Sequence, residues 1–146
     1  MPQVDFYVLN KQGLPEAEHF MCRLMEKIWA QGYSIYIHAH SQYHAQHIDK
    51  MLWHYKVERF IPHQLCHRIE EVQKTLPIHI GYKEDIYLPK EVLINFAETC
   101  PHFYQQFDRV VEILDMAEQR RKAGRQRYRV YQQAGCDVQS HTMTIN

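Results

Sequence analysis

Hydrophobic positions in this chain follow two periods, one of about two residues and one of three to four. Residues 4–9 (VDFYVL) form a short β-branched and aromatic run, which predicts a buried strand. Over 15–31 the apolar residues Ala17, Phe20, Met21, Leu24 and Ile28 return at helical steps, predicting a helix with one apolar stripe that Gly32 ends. Residues 34–39 (SIYIHA) predict a second strand. Ser41 stands where it can cap a second helix over 41–55, burying Ala45, Ile48, Leu52 and Tyr55.

The middle is less regular. Residues 60–63 (FIPH) predict a short edge strand or loop, 78–82 a strand after Pro77, 92–96 (VLINF) another, and 110–114 (VVEIL) one more. Between the last two, residues 101–107 fit a helix of one or two turns, and a long final helix is expected over 115–134, with Gly135 at its end. Strands alternating with helices predict a single domain over 1–146, an α/β fold in three layers (α/β/α) around a mostly parallel sheet of about five strands.

Composition places the chain among soluble globular proteins. It has 146 residues, 45% hydrophobic and 23% charged. No stretch approaches the roughly 18 apolar residues of a membrane span, and the first residues carry no secretory pattern, so the expected compartment is the cytoplasm. Cys22, Cys66, Cys100 and Cys136 are scattered without C-x-x-C pairs, which suits a reducing compartment. The zero net charge hides an asymmetry. Residues 1–117 hold 11 Lys and Arg against 15 Asp and Glu, whereas residues 118–146 hold 6 against 2. The six are Arg120, Arg121, Lys122, Arg125, Arg127 and Arg129, and such a local patch suggests one anionic partner.

Catalytic equipment is missing from the pattern. The loop after the first strand reads NKQGL, which is neither G-x-G-x-x-G nor a G-x-x-x-x-G-K-[ST] phosphate loop. No G-x-S-x-G turn occurs, and the adjacent acids Glu70-Glu71 and Glu84-Asp85 lie in polar stretches. The sequence therefore predicts no catalysis and no cofactor. Histidines offer the one rival signal: His40, His44, His47 and His54 fall within about 80° of each other on the second helix. Imidazoles at such spacing can share a metal ion. That helix face supplies no carboxylate or thiolate, however, and Met51 sits in its middle, so a solvated or half-buried face is expected.

The final helix carries the most information. With Ala123 as origin, Val130, Ala134 and Met116 fall within about 20°, and these four are expected to form a narrow apolar seam against the sheet. On the far side, at about 140–200°, lie Tyr128, Arg121, Gln132 and Arg125, with Arg129 at about 240°. Planar guanidinium donors beside an amphipathic phenol suit an acidic peptide that bears an aromatic side chain. They suit single-stranded nucleic acid almost as well.

Three pieces of the chain resemble the chi subunit of DNA polymerase III. They are the N-terminal VDFYVL strand with its helix, Leu52-Trp53 followed by FIPH at 60–63, and the C-terminal third. The last reads NFAETCPHFYQQFDRVVEILD over 95–115 and R-x-R-Y-R-x-Y-x-x-A-G over 125–135. The resemblance implies a non-catalytic adaptor in DNA replication. Such subunits link the clamp loader, through the psi subunit, to the acidic C-terminal tail of single-stranded DNA-binding protein, and so reach DNA indirectly. It implies that Arg121, Arg125, Tyr128 and Arg129 receive that tail, with Gln132 standing where some relatives carry a basic residue. It also implies that Trp53, Phe60 and Pro62 form the surface for psi, or for an alternative helicase partner.

Overall fold

The computed structural model describes residues 1–55, 61–85 and 91–145. Seven strands run β1 (Gln3–Leu9), β2 (Ile35–His38), β3 (His63–Leu65), β4 (Ile78–Gly81), β5 (Val92–Asn95), β6 (Arg109–Leu114) and β7 (Asp137–Met143). They form one sheet in the order β3-β4-β2-β5-β6-β1-β7, and every pairing is parallel. Among the described residues three helices join them: α1 (Leu14–Ala30), α2 (Gln42–His54) and α3 (Glu118–Gln133), with single 3-10 turns at Ile69–Glu71 and Tyr104–Gln106. No helix among the described residues is long and apolar enough to cross a membrane.

The three-layer arrangement follows from strand alternation. Side chains of one parity, among them Leu9, Ile35, Ile37, Val111 and Ile113, pack under α1 and α2. Those of the other parity, Val4, Phe6, Tyr36, Leu93, Val110 and Leu114, pack under α3 and the turn at Tyr104–Gln106. Both faces are covered, which is why the central strands are continuous apolar runs. Local signals act as expected at several ends. The Ser41 hydroxyl accepts from His44 N–H at 3.1 Å and caps α2, while Gly32 and Gly135 take positive φ just beyond α1 and α3.

Among the described residues the sheet has seven strands rather than about five. β3 extends it by three residues, and β7 lies after the last expected element. The sequence DVQSHTM of β7 carries little apolar signal, because the strand pairs only with β1 at the sheet's rim. α3 begins at Glu118 rather than 115, leaving Asp115 and Met116 in the connection from β6.

The expected seam of α3 is wrong. Met116 is 43% exposed and Val130 46%, while the residues buried on the helix are Gly124, Arg127 and Tyr131. The packing face is thus turned by about 70° from the Ala123 seam. Its centre is polar. Arg127 donates from Nε to Glu112 at 2.9 Å, and Glu112 also accepts from Tyr131 Oη at 2.6 Å and Asn95 Nδ2 at 2.9 Å. Burial raises the proton affinity of Glu112, against the downward pull of Arg127 and the other donors. Burial and the same carboxylate also push the Tyr131 phenol up, so it stays a donor. Gly124 completes the contact, since a Cβ there would meet the Leu114 methyl groups at 2.6 and 2.7 Å.

Removing one member of this pair strands a buried charge. Arg127→Ala is expected to cost about 3–5 kcal/mol in urea denaturation, and the double change Glu112→Leu with Arg127→Met less. A single variant as stable as the parent would contradict the role given to this pair.

Candidate functional site

Turning α3 onto Gly124, Arg127 and Tyr131 brings Tyr128 to the margin of the core rather than the far side. Tyr128 is half-buried, its ring 5.2 Å from that of Phe6. Together with Arg121, Gly124 and Arg125 it makes one wall of a groove of about 190 Å³. Phe6 and Val8 of β1, Leu114 of β6 and Ser140 of β7 supply the sheet side. An apolar cavity of about 150 Å³ is enough for benzene, so this groove admits one aromatic or large aliphatic side chain.

The cations around the groove are available for outside partners to different degrees. Arg121 Nη1 lies 3.6 Å from Met116 Sδ and is engaged with no carboxylate among the described residues. Arg125 faces the exposed carboxylate of Glu118 at 3.5 Å, a contact that water weakens. Arg129 is exposed one turn further on and lies outside the groove lining. The groove therefore unites Arg121, Arg125 and Tyr128, and leaves Arg129 on its approach. The sequence pattern did not reveal Phe6, Val8, Leu114 and Ser140, which come from three strands and meet only in the folded sheet.

Arg120 and Arg127 drop out of the outward patch. Arg127 holds Glu112, and Arg120 grips Asp115 with both Nε and Nη2 at 2.7 Å. Asp115 lies at the topological switch point, where β1 feeds α1 on one face of the sheet and β6 feeds α3 on the other. Open α/β sheets usually hold ligands in this crevice, with anions at the helix N-termini. Here a crevice of about 430 Å³ does open between these elements. Its anion position is taken from within: the buried Asp115 carboxylate accepts from Gly13 N–H at 2.6 Å and from Ala117 N–H. Gly13 and Ala117 are the N-cap residues of α1 and α3. The Arg120 hydrogen bonds, more than any other contact, hold this carboxyl below the usual range.

On the opposite side, Trp53 is an exposed residue of α2, 55% accessible, with its ring 5.0 Å from that of His63 on β3. Pro62, just before β3, is half-buried. Phe60 lies outside the described residues. The histidine face of α2 meets a carboxylate that its own helix lacks. Glu18 of α1, itself buried, receives His44 Nε2 at 2.9 Å and His47 Nε2 at 3.3 Å. His40 N–H donates to His44 Nδ1 at 3.3 Å, which leaves the proton of that ring on Nε2, facing Glu18. Among the described residues no three His, Cys, Asp or Glu side chains group as a metal site would require.

The sequence matches one known protein family over nearly its whole length. Residues 1–139 match the family described as DNA polymerase III chi subunit, HolC. The chain is 32% identical over 143 residues to DNA polymerase III subunit chi of Pseudomonas aeruginosa, covering 98% of each chain. It is 26% identical over 140 residues to the subunit chi of Haemophilus influenzae, covering 95% of this chain and 96% of that one. With the subunit chi of Escherichia coli it shares 24% identity over 147 residues, covering 97% and 99%.

Asp115 supplies a pH prediction. Its folded-state pKa is depressed, so its stabilisation is present above the unfolded value of about 3.9 and is lost as pH falls through the folded one. Asp115→Asn protein should be less stable at neutral pH, by about 1.5–3 kcal/mol for the charged hydrogen bonds lost. Its denaturation midpoint should also fall less steeply than the parent's on acidification below about pH 4. Parallel acid limbs for the two proteins would refute this assignment.

Proposed function

The chain belongs to the DNA polymerase III chi subunit family, and on that premise we propose that it is a non-catalytic adaptor of the replicative holoenzyme. In this reading it acts as one domain that links the clamp loader, through the psi subunit, to the C-terminal tail of single-stranded DNA-binding protein. The observation that carries the reading is the groove, in which two outward-facing arginines and a tyrosine stand over an apolar floor large enough for one side chain. Tail carboxylates pair with Arg121 and Arg125, and Arg129 attracts the acidic segment on its approach. The terminal hydrophobic residue of the tail packs against Tyr128 and the neighbouring apolar atoms of the groove.

Trp53 and Pro62 serve the second partner, psi or a helicase, with Phe60 assigned to the same surface by resemblance alone. An exposed tryptophan on a helix that buries Ala45, Ile48 and Leu52 is the kind of anchor that dominates interface energies. The four cysteines, none of them in a disulfide among the described residues, suit work in the reducing cytoplasm.

Exposed ion pairs contribute about 0–1 kcal/mol each, so tail affinity should be modest and salt-sensitive. Many tails on coated DNA compensate through effective concentration. Titration of a tail peptide should show Arg125→Ala binding about fivefold more weakly, near 1 kcal/mol, with the affinity of the parent falling as salt rises. Unchanged affinity in Arg125→Ala would sink the tail assignment. Tight binding of a mixed-sequence oligonucleotide without any partner would instead favour direct nucleic-acid binding. Trp53→Ala should weaken capture of psi by about 2 kcal/mol and leave tail binding alone; full capture would remove Trp53 from the interface.

A further inference from the structure

The sheet ends in two unlike strands. At one rim β3 has three residues, too short to invite pairing. At the other, β7 has seven, aligned with β1 in seven consecutive pairs from Gln3↔Asp137 to Leu9↔Met143. Among the described residues no backbone hydrogen bond reaches β7 from its outer side. Long edge strands are normally guarded by lysine, proline, a bulge or a covering element. The strand DVQSHTM has no lysine, arginine or proline, and its unbroken register leaves no room for a bulge.

This open edge adjoins the cationic groove. Ser140, in the middle of β7, lines the groove opposite Arg121 and Arg125. Val138 packs on the same face, toward the core under α3. We propose that an acidic peptide seated in the groove continues along the outer edge of β7 and joins the sheet as an eighth strand. The proposal rests on the groove being a peptide site, and it names how the peptide backbone is held. Charge selects the occupant. Arg121, Arg125 and Arg129 stand on the neighbouring helix, and Asp137 is the one acidic residue of β7. Nucleic acid lacks the alternating amide and carbonyl groups a strand edge recognises, whereas any extended peptide has them. Side-chain pockets can then do the selecting, while main-chain bonds supply affinity that individual exposed ion pairs do not.

Strand addition has a signature that groove binding alone lacks. Successive residues of an added strand point their amides alternately toward β7 and away from it. The probe is a ten-residue acidic peptide ending in an aromatic residue with a free carboxylate, titrated against the full chain by fluorescence anisotropy. Two analogues carry N-methyl groups on alternate sets of residues. One analogue should bind about tenfold more weakly or worse, and the other within about twofold of the parent peptide. In hydrogen exchange, alternate amides of β7 should gain protection when the unmodified peptide binds. Equal behaviour of the two analogues, or no added protection in β7, overturns strand addition. Arg125→Ala separates the two readings. If it weakens the parent peptide while both analogues bind normally, the groove stands and the eighth strand falls. If neither the parent peptide nor the analogues respond to Arg125→Ala, or the parent peptide does not bind, the groove reading fails and this one with it. Dimerisation of the free chain through β7, detected by sedimentation at micromolar concentration and abolished by no peptide, would equally overturn it.

Discussion

The Glu112 carboxylate and the Arg127 guanidinium meet at 2.9 Å with almost no access to water, and the placement of α3 follows from that contact. A buried carboxylate on β6 demands a partner, and Arg127 supplies the cation while Tyr131 beside it donates to the same carboxylate. Gly124, against Leu114, lets the helix axis come close enough for that reach. The rotation of α3 is then settled, and with it the identity of the residues along its outer flank. Arg121, Arg125 and Tyr128 look onto Phe6 and Ser140 because Arg127 looks onto Glu112.

Six basic residues on one stretch of chain thus divide into two kinds. Arg127 and Arg120 are internal fasteners, each spent on a buried acid of the β6 segment. Arg121, Lys122, Arg125 and Arg129 are turned outward. The division also bears on what this fold does with its usual ligand site. At the switch point, where related architectures place phosphate against helix N-termini, Asp115 already accepts from both N-cap residues and from Arg120. The available chemistry is displaced to the flank of α3 and the rim of the sheet.

Sheet order separates the two surfaces of interest. Trp53 sits by β3 at one edge, on the layer of α1 and α2, and the arginine groove sits by β7 at the other, on the layer of α3. They share no residue. The proposed adaptor role asks for this kind of separation, and the parallel sheet lies between the two surfaces. The histidines of α2 fit into the scaffold: Glu18 ties His44 and His47 to α1, joining two helices of one layer.

Much of the architecture is legible in the chain, because burial on both faces writes itself as apolar runs. β1, β2, β4, β5 and β6, and the stripes of α1 and α2, could be read that way, as could the cap at Ser41 and the stop at Gly135. The arginines and tyrosine of the groove were readable as a cationic, aromatic stripe. What could not be read is what that stripe faces. The α3 packing face consists of a glycine, an arginine and a tyrosine, so apolar periodicity pointed to Met116 and Val130, which the fold leaves in solvent. β7 carries no such run because an edge strand with one neighbour needs few apolar residues. Sequence periodicity records which side chains avoid water locally. It is silent on a buried charge whose partner lies on another strand, and that distant pairing is what aimed α3 and built the groove.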